Sequence, residues 1–71
     1  MRELHKVGDN LYEIRTLRVD LTNRICHYGE VHGFWKVKSN LLSEEGVFSV
    51  KVELLNFDVE YICRHLDLKL I

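Results

Sequence analysis

The side chains best suited to bind a metal or act as nucleophiles are Cys26, Cys63, His5, His27, His32 and His65. Structural or catalytic zinc needs nitrogen and sulfur ligands converging in a tetrahedron. Cys63 and His65 are two residues apart, so a strand would present both on one face. Cys26 and His27 are adjacent and would point to opposite faces, and His32 lies five residues further on. There is no Cys-x-x-Cys pair and no spaced His pair, so these spacings close no metal site. The expectation is no metal, no cofactor, and two small thiols packed in the core. Two cysteines do not make a secreted disulfide framework; free thiols in a reducing compartment are expected, with a single bridge the alternative.

Nucleophile chemistry finds no better footing. Ser39, Ser43 and Ser49 lie in polar turns or on a solvent face, without a glycine-rich elbow. No glycine loop could cradle a phosphate, and no carboxylate pair has an evident reason for a shifted pKa. The expectation is a protein that is not an enzyme.

Aromatic and basic residues interleave from Tyr12 to Lys38. Read as a strand, Val31, Trp35 and Val37 share one parity and face the core. His32, Phe34, Lys36 and Lys38 then face outward, with Tyr28 nearby across Gly29. An exposed aromatic among cations has the makeup enriched at contact sites, so Tyr28, His32, Phe34, Lys36 and Lys38 form the candidate binding surface. A second candidate is an acidic face through Glu44, Glu45, Glu53, Asp58, Glu60 and Asp67, which could mimic phosphates.

Positioning these residues falls to short elements. Turn signals stand at Gly8-Asp9-Asn10, at Asp20 to Asn23, at Ser39-Asn40, at Ser43 to Gly46 and at Asn56-Phe57-Asp58. From Val47 to Leu54 the residues Phe48, Val50, Val52 and Leu54 alternate with Ser49, Lys51 and Glu53, the period of a half-buried strand. Val59 to Cys63 reads as its hairpin partner, and Leu66 to Leu70 alternates again. Leu11 to Val19 reads as a strand with a bulge where the apolar parity switches at Leu17; a helix through Ile14, Leu17 and Leu21 is the competing reading. Arg24 to Tyr28 and Val31 to Lys38 read as strands interrupted near Gly29.

Seventy-one residues make one domain, residues 1–71. A chain this size buries only about 60% of its unfolded surface, so association with a partner or a second copy is one route to stability. Ten Lys and Arg against 11 Asp and Glu leave a net charge of −1, which is not the footprint of a protein held to nucleic acid by bulk charge. The charge is uneven: residues 1–40 carry seven basic and five acidic side chains, residues 41–71 three and six. No apolar run approaches the roughly 20 residues that span a bilayer, and the N-terminus has no signal-peptide pattern. A soluble, cytoplasmic protein is expected.

Tyr28-Gly29-Glu30-Val31-His32-Gly33-Phe34, then Val50 to Leu54, Val59 to Ile62 and Leu66 to Leu70, together resemble a small SH3-like barrel of the kind found in phages and mobile elements. The likeness spans residues 24–71. It implies an all-β barrel of five to six short antiparallel strands with one short helical turn near residues 63–66. The expected function is a binding or inhibitory module without chemistry of its own, whose partner is protein rather than nucleic acid. A rival likeness runs through Leu11-Tyr12-Glu13-Ile14-Arg15 and Val31-His32-Gly33-Phe34-Trp35-Lys36, which resemble the sheet of HigB/RelE-type toxins. That resemblance implies a ribosome-dependent messenger-RNA endonuclease with Arg15, His32 and Lys36 on the matching strands. The family's N-terminal helices have no counterpart here, and its basic stretch is replaced by Lys38 and then Leu41-Leu42-Ser43-Glu44-Glu45. A nucleic-acid-binding small barrel is the remaining alternative.

Overall fold

The computed structural model describes residues 1–55 and 58–71. Its elements run β1 (Arg2–Lys6), β2 (Leu11–Thr16), α1 (Val19–Val31), β3 (Trp35–Val37), β4 (Leu42–Glu44), β5 (Val47–Leu54), α2 (Val59–Leu66) and β6 (Lys69–Leu70). The strands form one open six-stranded sheet in the order β3-β5-β2-β1-β6, with β4 also pairing β5. All pairings are antiparallel except β1 with β6. The expected all-β SH3-like barrel is therefore incorrect: the chain is a mixed α/β fold with an open sheet and two helices.

Strand β5 has the register its alternation implies. Val50, Val52 and Leu54 are buried, together with Leu4, Tyr12, Ile14 and Trp35 on the same side of the sheet. Lys51 and Glu53 are on the other side, half-buried rather than exposed. Register explains why: Glu13 lies opposite Lys51, Lys36 opposite Glu53, and Arg15 opposite Glu3. Opposite charges placed across strands attract one another, and the close contacts on this face run along the strands, Arg15 to Glu13 and His5 to Glu3. A sheet whose outer face carries such a ladder can leave that face in water.

The helices are where the strand reading fails. Val59, Ile62, Cys63 and Leu66 fall at i, i+3, i+4 and i+7, one stripe of a helix, and the last three of them are buried. Asp58 caps α2, its carboxylate accepting the Glu60 N–H at 2.8 Å. Acidic Glu60 in the first turn and Arg64 with His65 in the last complement the helix dipole. The helix ends at Asp67, whose left-handed backbone lets the Leu68 N–H return to the Cys63 carbonyl at 2.8 Å. So the short turn expected near residues 63–66 is a whole helix, the strand expected over 59–63 is its first part, and the strand over 66–70 shrinks to β6. Of the turn expected at Asn56-Phe57-Asp58, the first two residues lie outside the described residues.

The segment from Val19 to Val31 is likewise helical, burying Thr22, Ile25, Cys26 and Gly29. Strand β2 stops at Thr16, so the parity switch at Leu17 marks a strand end and not a bulge. Arg18 closes a bidentate pair on Asp20 at 2.7 and 3.2 Å, which holds that carboxyl below its ordinary range. At the other end Gly33 is left-handed (φ 72°). Its N–H bonds the Glu30 carbonyl at 3.1 Å and the Phe34 N–H bonds the Gly29 carbonyl at 2.8 Å. This is the Schellman arrangement that ends a helix. The strands expected over 24–28 and 31–38 are replaced by α1 and the three-residue β3.

Among the described residues, the buried polar ones are Thr16 and Thr22. Their hydroxyls share a 2.8 Å hydrogen bond that ties β2 to α1, and among the described residues no buried side-chain polar atom lacks a partner.

Candidate functional site

Two helical pairs of rings meet over one buried phenylalanine. On α1, Tyr28 and His32 are one turn apart and stack with ring centroids 4.0 Å apart and planes inclined by 29°. On α2, Tyr61 and His65 have the same spacing and stack at 5.7 Å and 19°. The i, i+4 geometry of a helix makes both pairs. A hydrogen bond of 2.8 Å between the Tyr28 hydroxyl and His65 Nε2 joins the two helices. Phe34 lies against all four rings, with centroids at 5.8 to 6.4 Å, and turns its edge to Trp35. Tyr28 is 37% exposed and Tyr61 45%, whereas Phe34 is 4%. The arrangement is a platform of solvent-facing aromatic and imidazole rings fixed on a buried base.

Tyr28, His32 and Phe34 from the sequence-based candidate surface are brought together here. Lys36 and Lys38 are not in this cluster. Trp35 points under α1, so Lys36 sits on the opposite face of the sheet beside Glu53, and Lys38 follows just past β3, its N–H bonded to the Lys51 carbonyl at 2.8 Å. The strand parity was right for Trp35, which is 1% exposed, and wrong at two residues. Val31 is 66% exposed and Phe34 is buried, because the Schellman turn interrupts the period between them. Tyr61 and His65 were missed; the repeated spacing Tyr-x-x-x-His was their signal in the sequence.

The acidic candidate face is divided. Glu53 lies on the open face of the sheet, and Glu44 and Glu45 at the β4–β5 turn. Asp58 and Glu60 are at the start of α2, and Asp67 at its end. The open face holds a shallow hollow of about 300 Å³ lined by Glu13, Arg15, Glu44, Glu45, Val47 and Ser49. Arg15 is engaged there, donating to the Glu13 carboxylate and lying 3.5 Å from His5, which in turn contacts Glu3 at 2.8 Å. Of the residues implied by the toxin likeness, Arg15 and Lys36 share this open face, while His32 caps α1 on the other side.

Cys26 and Cys63 are both free and buried. Burial, reinforced by Glu30, pushes the Cys26 thiol up to about 11; burial and Glu60 raise that of Cys63. A thiol in such surroundings stays protonated and unreactive. Among the described residues no group of three or more His, Cys, Asp or Glu side chains could hold a metal, and no helix is long and apolar enough to cross a membrane. No family model, curated protein or solved structure matches this chain.

Proposed function

We propose that this protein is a small binding module without chemistry of its own, which recognises a protein partner through the ring platform of Tyr28, His32, Phe34, Tyr61 and His65. The observation that carries the reading is the pair of stacked Tyr–His turns held over Phe34. Large rings already fixed by stacking lose little side-chain entropy on association, and aromatic residues dominate the energetics of protein interfaces. The suppressed, buried thiols support a binding role over a nucleophilic one and fit a reducing, cytoplasmic setting. A protein partner is favoured over nucleic acid because the lysines that would accompany stacked bases, Lys36 and Lys38, are displaced from the platform, and the net charge is −1.

The test places a photo-crosslinking amino acid at Tyr61 in host cells and identifies what it captures. The purified partner is then titrated against variants whose folding is checked by circular dichroism. Tyr28→Ala and Tyr61→Ala should each weaken binding by about tenfold or more, as central aromatic contacts do. Lys36→Ala and Lys38→Ala should bind as the parent does. The opposite pattern would move the interface to the open face of the sheet, and crosslinking to RNA would replace the protein reading.

A further inference from the structure

Beside the platform, a groove of about 230 Å³ runs between α1 and the end of α2. Leu21, Ile25 and Leu66 line it with apolar surface, Arg2 and Arg24 add guanidinium groups, and Tyr28 is shared with the platform. None of the described residues that line it carries a carboxylate. The charges near it are unequally matched. Arg2 donates through Nε to the Asp67 carbonyl at 2.9 Å and through Nη2 to the Leu66 carbonyl. The Asp67 carboxylate is 3.9 Å from Nε but 96% exposed. Arg24 has a 69% exposed side chain, and among the described residues its one ion pair is with Asp20, at 4.0 Å. Asp20 is already committed to Arg18 through both carboxylate oxygens. Arg24 therefore stands over apolar surface with its charge largely uncompensated.

We infer that this groove receives a partner segment in which an apolar side chain lies next to a carboxylate. The side chain would pack on half-buried Leu21 and on the small exposed edges of the otherwise buried Ile25 and Leu66, and the carboxylate would meet the guanidinium of Arg24, with Arg2 adding to the positive field. The inference rests on reading this helical face as a protein-contact surface and specifies the chemistry of what it contacts. A planar guanidinium fits a carboxylate by paired hydrogen bonds, a geometry a lysine at this place could not supply. The apolar floor makes charge alone insufficient: a simple anion leaves that floor wetted.

The probe is N-acetyl-leucine, with N-acetyl-leucinamide as the neutral counterpart, titrated while the methyl resonances of Leu21, Ile25 and Leu66 are followed by NMR. N-acetyl-leucine should shift these methyls and bind about fivefold more tightly than the amide, the upper end for an exposed ion pair. Arg24→Gln should remove most of that difference while leaving the fold intact, and raising the salt to about 0.5 M should reduce it. Tyr61→Ala, which alters the platform but not the groove lining, should leave the titration unchanged. Failure of the platform and failure of the groove are thereby separated. Equal binding of acid and amide, shifts elsewhere on the protein, or an unaltered Arg24→Gln titration would overturn the inference. Tighter binding of adenosine monophosphate at the same methyls would overturn it in favour of a nucleic-acid ligand.

Discussion

Gly29 and Trp35 occupy each other's space: a β-carbon built on Gly29 would fall 2.1 Å from Cε2 of the Trp35 indole. The indole therefore lies directly beneath the backbone of α1, and its Nε1–H donates to the Cys26 carbonyl at 3.0 Å. A helix can come this close to a tryptophan only where it has no side chain. The same contact anchors the start of β3 and so sets Phe34, the neighbouring residue, under the ring platform.

Gly29→Ala should consequently destabilise the fold, although Ala is favoured over Gly in helices by up to about 1 kcal/mol. Overpacking against a buried indole costs about 1–3 kcal/mol, and urea unfolding should show a net loss. A more stable Gly29→Ala variant would mean that α1 does not rest on Trp35.

Val52 is fully buried between β2 and β3, opposite Tyr12 and Val37. Val52→Asp would put an unpaired charge there, and a domain with only about 5–15 kcal/mol of stability should not survive it. Lys51→Ala, one residue away on the open face, should change stability by about 0.5 kcal/mol or less. Circular dichroism of the two variants distinguishes the faces of β5.

Asp58 satisfies an N–H that α2 would otherwise leave open. Asp58→Ala should cost about 1 kcal/mol, and because α2 carries Tyr61 and His65 it should also loosen the platform. Loss of the NMR chemical-shift signature of the Tyr28–His65 hydrogen bond would report that loosening.

Both thiols should resist modification while the protein is folded. A disulfide-exchange reagent at pH 8 should react at the rate of unfolding, and with both cysteines at once when urea is added. The pH dependence follows from the raised Cys26 value. Below the ordinary thiol value of 9.0 both states keep the proton and the contribution to stability is full; between 9.0 and about 11 the unfolded chain loses its proton first, so stability falls as pH rises. A rapid reaction of either thiol in the native protein would contradict the packing.

The alternation over Val47–Leu54 by itself determined a half-buried strand and its register, because period 2 admits one assignment of faces. The burial of Trp35 was legible as well, but the outward strand face that grouped Tyr28, His32 and Phe34 with Lys36 and Lys38 was not: Phe34 is buried, and a helix end brings the three rings together. The helical stripe Val59, Ile62, Cys63, Leu66 was also written in the residues. Val59-Glu60-Tyr61-Ile62-Cys63, however, contains β-branched and aromatic types that suit a strand equally in isolation, and eight residues are too few for propensity to decide. Packing decided it: as a helix, α2 buries Ile62, Cys63 and Leu66. The same holds for Gly29, which reads as a strand interruption until Trp35 is placed against it. Only the tertiary structure could bring His65 to Tyr28, 37 residues away in sequence, or send Lys36 to the face opposite Phe34. Those relations depend on which side of the sheet the helices cover, and that side is chosen by the summed burial of Leu4, Ile14, Val52 and Trp35, a property of no single segment.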